Sequence, residues 1–384
     1  MRNTFYRDTW VEVNLDAIKY NISHLRNRLH EKNKLIAVVK ANAYGHGSLQ
    51  VAKTALNAGA DSLAVAFLDE AISLREKGVK APILVLGASR ARDVKVACEY
   101  KITLTVFQVE WLEEALCILE DNTYLPIHLK LDTGMGRIGF RTKEDIRKIE
   151  DLLCAQSRIK VEGVFTHFAT ADEKDTTYLD KQIARFRELL NGFSQLPEII
   201  HCSNSAASLL HPELQYNAVR MGISMYGLTP SLEIENDLPY PLKEAFSLRS
   251  KIVQVKKLHK GDKVSYGATY EAEEEQWIAT LPIGYADGWL RKLQGIEVLV
   301  DGMRVPIVGR ICMDQCMVRL PYEMKTGTKV TLIGSQKHQS ISVNEVATKL
   351  ETINYEITCM ISSRVPRVYL EDGEYMNVVN PLLD

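Results

Sequence analysis

Lys40 closes the apolar run LIAVVK, and the short sequence ANAYGHG follows it. A lysine in that place either snorkels its stem along apolar surface or, with its pKa lowered by its surroundings, attacks a carbonyl and holds it as a Schiff base. Gly45 and Gly47 allow a tight loop from which the Tyr44 hydroxyl can reach an anionic ligand. His46, in the same loop, reads as a local hydrogen-bonding residue. In HLKLDTGMGRIGF, Lys130 falls within a strand and Arg137 just beyond a glycine-rich turn. A buried lysine needs a partner or must lose its charge, and a guanidinium makes paired, planar hydrogen bonds to oxyanions. His167 ends VEGVFTH, and Asn204 and Ser205 in HCSNSAAS open a helix whose first amides either take a simple cap or bind phosphate. Gly222 and Ile223, from RMGISMYG, add backbone amides, and Arg220 stands inside the apolar run just before them.

These residues sit at one end of a repeating pattern. Eight short apolar runs end at Lys40, Phe67, Gly87, Phe107, Asp132, His167, Asn204 and Gly222, and stretches of helical period such as 48–58, 69–77 and 145–154 lie between them. Eight βα units predict a (β/α)8 TIM barrel, whose active site lies at the C-terminal ends of its strands. After Pro230 the turn-rich SLEIENDLPYPL marks a boundary, and strands punctuated by glycine follow. KIVQVKKL, VSYGATY, WIATLPIG, EVLVDGMRVPIVG, CMVRL and KVTLIG predict a smaller, mainly β C-terminal domain in which only 342–349 looks helical. The alternation in WVEVNLD predicts a lone strand that joins that domain. The resulting division is an N-terminal strand over 1–14, a barrel over 15–238 and a β-rich domain over 239–384.

Composition narrows the partners. The chain is 46% hydrophobic and 25% charged, with a formal net charge of −2, and its charges are interspersed rather than gathered in a basic stripe. Neither nucleic acid nor an anionic membrane is the expected partner. The N-terminus has no apolar leader and no run of about 18 apolar residues occurs, so a cytoplasmic location is expected. The seven cysteines are scattered and odd in number, which gives no disulfide framework. Cys312 and Cys316 lack the matching pair a zinc site needs, so no metal is expected.

The motif AVVKANAYGHG resembles that of the alanine racemase family, and the resemblance runs nearly end to end. It implies that Lys40 carries pyridoxal 5'-phosphate, with Tyr44, Asn204, Ser205, Gly222, Ile223 and Tyr355 (in ETINYEI) around the phosphate. It implies that Lys130 is carbamylated, the alternative being a plain ion pair, and holds Arg137 against the cofactor oxygen and the substrate carboxylate. Arg220 then faces the pyridine nitrogen, giving it a hydrogen bond rather than a proton, with His167 orienting the guanidinium. Racemisation needs acid and base on opposite faces of a planar carbanion, so one lysine is insufficient. The family's second group matches Tyr266 in VSYGATY, the base for L-alanine, while Lys40 serves D-alanine. A tyrosine of pKa about 10 is a weak base at neutral pH, so a nearby group must assist it, and His167 is the candidate. Met313 in ICMDQCM matches a backbone contact to the substrate carboxylate. Asp172, Arg291 and Arg310 match the substrate access channel, or are solvated surface charges.

The resemblance further implies a homodimer with shared active sites, in which Tyr266 and Met313 reach the neighbouring barrel, and a supply of D-alanine for peptidoglycan. Two other readings stand beside it: a racemase of broader specificity, for serine or larger amino acids, on the same fold, and a non-catalytic carrier of the cofactor. The C-terminal domain speaks against the carrier.

Overall fold

In the computed structural model, residues 5–383 are described. They divide into two compact units: Ile18–Ala43 with Ser48–Lys243, and Tyr44–Gly47 with Glu244 onward and the N-terminal residues up to Ala17.

Apart from β1 (Thr9–Asn14), the first strands of the chain are β2 (Lys34–Val38), β3 (Ser62–Val65), β4 (Ile83–Val85), β5 (Thr103–Val106), β6 (Leu125–Lys130), β7 (Ile159–Phe165), β8 (Ile199–His201) and β9 (Ala218–Met221). β2 to β9 form one parallel sheet in the order β8-β7-β6-β5-β4-β3-β2-β9. Helices intervene, and the sheet curls into a nearly closed (β/α)8 barrel. Each strand is three to seven residues long, and Leu35, Leu63, Val85, Leu104, Ile127, Val164 and Val219 are buried as both faces of a covered parallel sheet require. Local chemistry starts the helices: Thr142 Oγ1 accepts the Asp145 amide at 3.1 Å while the Asp145 carboxylate accepts the Thr142 amide at 3.2 Å, a reciprocal cap on Lys143–Leu153.

Most of the apolar runs overshoot the strands. β2 stops at Val38, β7 at Phe165 and β8 at His201, so Lys40, His167 and Asn204 lie two or three residues past the ladder. A side chain that must meet a ligand belongs where strand pairing has ended.

The second unit is a mixed sheet with β11-β14-β17-β16-β15-β18-β10-β1-β20-β21 as its path. Its strands are β10 (Phe246–Lys251), β11 (Gln254–Leu258), β14 (Gln276–Leu281), β15 (Glu297–Val300), β16 (Met303–Val308), β17 (Cys316–Leu320), β18 (Lys329–Gln336), β19 (Gln339–Ile341), β20 (Arg367–Glu371) and β21 (Glu374–Val379), while β12 (Lys263–Val264) and β13 (Tyr270–Glu271) pair with each other as a separate two-stranded sheet. β1 lies antiparallel to β10 and parallel to β20.

Three local expectations change. KIVQVKKL is two strands, because the Ile252 amide turns to Thr328 and the Val253 amide to Thr280, sending β10 to β18 and β11 to β14. VSYGATY is a turn: φ of +68° at Ser265, +73° at Gly267 and +48° at Ala268 breaks the strand after Val264. A second helix, Asn354–Met360, follows the one at Val343–Leu350, whose first turn Ser342 caps through the Glu345 amide at 3.0 Å. Among the described residues, no helix is long and apolar enough to cross a membrane.

Candidate active site

The segment after Lys40 is wound the wrong way for L-residues. Ala41, Asn42, Ala43 and Tyr44 all have φ between +52° and +54°, a left-handed turn that costs about 1 kcal/mol or more per residue without glycine. Side chains hold it. The Glu70 carboxylate accepts the Ala41 amide at 2.6 Å and the Ala66 amide at 2.7 Å, and Asn42 Oδ1 accepts the Ser48 amide at 3.0 Å. Tyr226 donates its hydroxyl to the Val38 carbonyl at 2.8 Å, fixing the strand end that precedes Lys40.

Arg220 is 3% exposed on β9, and among the described residues each of its hydrogen-bond partners is neutral. It donates to His201 Nδ1 at 2.7 Å, to the carbonyls of Thr166 at 2.9 Å, Cys202 at 3.0 Å and His201 at 3.2 Å, and to His167 Nδ1 at 3.5 Å. Because the guanidinium only donates, His201 accepts through Nδ1 and carries its proton on Nε2, which donates to His128 Nδ1 at 2.9 Å. Burial pushes His128 down to about 3 and holds His167 and His201 well below the ordinary imidazole value, with Arg220 adding to the effect on all three. Burial also lowers Arg220, to about 10, which still leaves it a cation at neutral pH. Phe165 stacks on His201 at 4.6 Å and nearly parallel, and Lys130 Nζ sits 4.5 Å from the same ring. His201 and His128, which complete the support of Arg220, were not picked out from the sequence. The sequence cue is slight: a histidine interrupts the apolar alternation of β6 and another that of β8.

Lys130 is 4% exposed and makes no salt bridge among the described residues. Burial first, then Arg220 and Arg137, lower its amine well below the usual lysine value. The nearby Asp132 is committed to the amides of Gly134 at 3.1 Å and Gly136 at 2.9 Å, which shape the turn carrying the exposed Arg137.

Asn204 Oδ1 caps the next helix through the Ala207 amide at 3.0 Å. Ser205 Oγ accepts the Gly222 amide at 2.9 Å and lies 3.5 Å from the Ser224 amide, bringing the loops after β8 and β9 together beside Ile223. The Ser224 hydroxyl is buried and has no partner among the described residues. Asp172 is half-buried in the same unit, its carboxyl raised by burial and by Glu233.

The other unit holds the remaining candidates. Burial first, then the nearby Cys359, raises the Tyr44 phenol above its ordinary value, and its ring centroid lies 6.2 Å from that of Tyr355 on the second helix. His46 is fully buried with Nδ1 3.0 Å from the Tyr44 carbonyl, a local bond as expected. Tyr266 is 72% exposed at the crest of its turn, beside a cavity of about 790 Å3 lined by Lys256, Lys263, Thr280 and Gln315. The turn is pinned by Ser265, whose hydroxyl donates to the Arg310 carbonyl at 2.6 Å, while the Arg310 guanidinium lies over Gly267. Met313 is also more than half exposed, and Arg291 and Arg310 are exposed.

Comparison with known proteins places most of the chain in one family. The family model described as alanine racemase, N-terminal domain, matches residues 13–230, and that for the alanine racemase C-terminal domain matches residues 245–369. The chain is 57% identical to the alanine racemase of Geobacillus stearothermophilus over 99% of its own length and 98% of the relative's. The crystal structure of alanine racemase from Bacillus anthracis with bound L-Ala-P superposes with a TM-score of 0.96 at 52% identity, covering 99% of this chain and all of that one. The histidine racemase of Leuconostoc mesenteroides superposes with a TM-score of 0.91 at 34% identity, covering 97% of this chain and all of that one.

Proposed function

The chain belongs to the alanine racemase family and is an amino-acid racemase, and from that premise we propose that it interconverts L- and D-alanine with acid and base on opposite faces of the α-carbon. Its cofactor is pyridoxal 5'-phosphate, and the donors in the barrel unit suit that group. Ser205, the unpartnered Ser224 hydroxyl and the amides near Gly222 and Ile223 are what a phosphate accepts from. When bound, the cofactor draws electrons from the amino acid it holds and so acidifies the α-hydrogen.

The residue roles follow. Lys40 tethers the cofactor and moves the proton on the face used by D-alanine; the partner subunit's Tyr266 moves it on the face used by L-alanine. Tyr44, Asn204, Ser205, Gly222, Ile223 and Tyr355 hold the phosphate. Arg137 and the partner subunit's Met313 bind the substrate carboxylate. Lys130, whose neutral amine is the form that adds carbon dioxide, is carbamylated and holds Arg137. Asp172, Arg291 and Arg310 line the access channel. Residues 15–238 form the cofactor module, 239–384 the module that carries the second proton-transfer group, and 1–14 serve the latter, with 1–4 and 384 outside the described residues. The protein works as a cytoplasmic homodimer, without nucleic acid or membrane as partner, and supplies D-alanine for peptidoglycan.

One observation carries this reading: the buried Arg220 is a cation held by two imidazoles and three carbonyls and by no carboxylate. Such a group gives the ring nitrogen a hydrogen bond and no proton, which limits electron withdrawal and favours prompt return of the proton to the α-carbon. The likeness to a histidine racemase keeps a broader specificity as the second reading. Turnover of alanine, serine, lysine and histidine separates the two: alanine should lead clearly, and equal turnover of a larger amino acid would favour the second. Undiminished racemisation in both directions by Tyr266→Phe would refute the two-base scheme.

A further inference from the structure

The substrate-carboxylate role of Met313 requires an exposed backbone loop to keep one orientation, and the fold supplies a support for it. The amides of Tyr285 and Ala286 donate to the carbonyls of Cys312 at 3.0 Å and Met313 at 3.1 Å. The fit is close: a Cβ on Gly284 would lie 2.3 Å from both carbonyl oxygens. At the centre of this support stands Asp287, fully buried, on the turn 285–287. Its Oδ2 accepts the Gly284 amide at 3.0 Å, closing the turn, and its Oδ1 accepts Arg7 Nη1 at 2.7 Å. Arg364 Nε approaches the same Oδ1 at 3.8 Å, while its Nη2 donates to Asp314, next to Met313, at 2.7 Å. The Asp287 carbonyl accepts the Ser362 amide at 3.0 Å, fixing the turn to the segment that carries Arg364. Two arginines and two carboxylates thus form one chain of charge that reaches the Met313 loop from a buried anchor.

We propose that Asp287 is a positioning residue of the racemase: through the turn at Gly284 and through Arg364 it orients the Met313 amide toward the substrate carboxylate. The proposal rests on the assignment of Met313 to that carboxylate. Asparagine keeps one acceptor oxygen and puts an NH2 in place of the other, so Asp287→Asn takes the Asp287 partner from either the Gly284 amide or Arg7 Nη1, while Arg7 Nη2 keeps the Arg364 carbonyl at 3.3 Å.

The test uses the dimeric enzyme loaded with cofactor and three variants, Asp287→Asn, Arg364→Met and Gly284→Ala, each measured for KM and kcat in both directions and for inhibition by propionate, a carboxylate without an amine. Asp287→Asn should raise KM for both enantiomers and weaken propionate by about tenfold, the effect expected from losing a charge-assisted hydrogen bond. The cofactor absorbance should stay unchanged, and kcat should fall less than kcat/KM. Arg364→Met, at the exposed end of the chain of charge, should shift the same quantities in the same direction by less, and it carries the test if Asp287→Asn does not fold. Gly284→Ala crowds the two carbonyls without changing charge. If it weakens propionate while the Asp287 and Arg364 variants do not, Met313 binds the carboxylate but Asp287 does not position it, and the proposal fails. If none of the three moves KM or propionate binding, the assignment of Met313 is itself wrong. A loss of thermal stability alone, with KM unmoved, would make Asp287 purely structural and overturn the proposal.

Discussion

Arg220 and Tyr266 are assigned to the same reaction, yet their surroundings are opposites. The guanidinium is 3% exposed and donates to five neutral acceptors, two of them imidazoles that burial keeps uncharged. The phenol is 72% exposed on a turn with positive φ on both sides of it. Folding of the barrel completes the first arrangement and holds it rigid, because a buried cation with so many fixed partners has no alternative position. The second is supported through Ser265 and Arg310, but the tyrosine itself lies exposed. A proton-transfer group needs a surface to work against, and on the proposed reading a second chain gives Tyr266 that surface.

The largest effect should come from Lys40→Ala: with the roles proposed above it removes both tether and proton carrier, and it should lower racemisation by at least about 10^4-fold, with loss of the bound cofactor's visible absorbance. Retained turnover would break the comparison at its barrel side. Arg220→Met should then show the cost of disturbing the rigid half: the carbonyls of Thr166 and Cys202 and Nδ1 of His201 lose the guanidinium donor, and stability should fall by about 3 kcal/mol or more in denaturant unfolding. A loss as small as a surface substitution gives would mean that the network is not tightly formed.

A pH experiment sharpens the same point. His128 has a folded pKa of about 3 against an unfolded value near 6.5, so between these values the unfolded chain binds the extra proton. Its contribution to stability is therefore complete above pH 6.5 and lost as pH falls toward 3. Each such histidine adds at most about 1.4 kcal/mol per pH unit to the acid slope. His128→Asn should flatten the slope by about that amount. The smallest effect belongs to Tyr266→Phe on stability: the ring is exposed, so unfolding should shift by no more than about 0.5 kcal/mol even where catalysis is lost.

The barrel was legible because eight apolar runs each carry their own periodicity, and Lys40, His167 and Asn204 could be placed at their ends to within two or three residues. The family resemblance added what spacing alone does not assign, the role of Tyr266 above all. What sequence did not yield depends on the fold closing. His128 and His201 are separated by 73 residues and meet only because β6 and β8 flank β7 with Gly163 between them, where a Cβ would lie 2.5 Å from the His128 ring. Glu70 reads as an ordinary residue of a helix's first turn, although its carboxylate also fixes the left-handed turn after Lys40. VSYGATY misled because β-prone residues surround Ser265, Gly267 and Ala268, whose positive φ the composition does not announce.

Mixing two inactive variants tests the central claim most directly. Lys40→Ala and Tyr266→Phe, co-refolded or co-expressed, give mixed dimers in which one barrel keeps its lysine and faces the other subunit's intact tyrosine. If active sites are shared between subunits, the mixture should regain about a quarter of native activity, since half the dimers are mixed and each has one intact site. A mixture as inactive as its parents, with mixed dimers shown to be present, would mean that Tyr266 serves its own barrel or none.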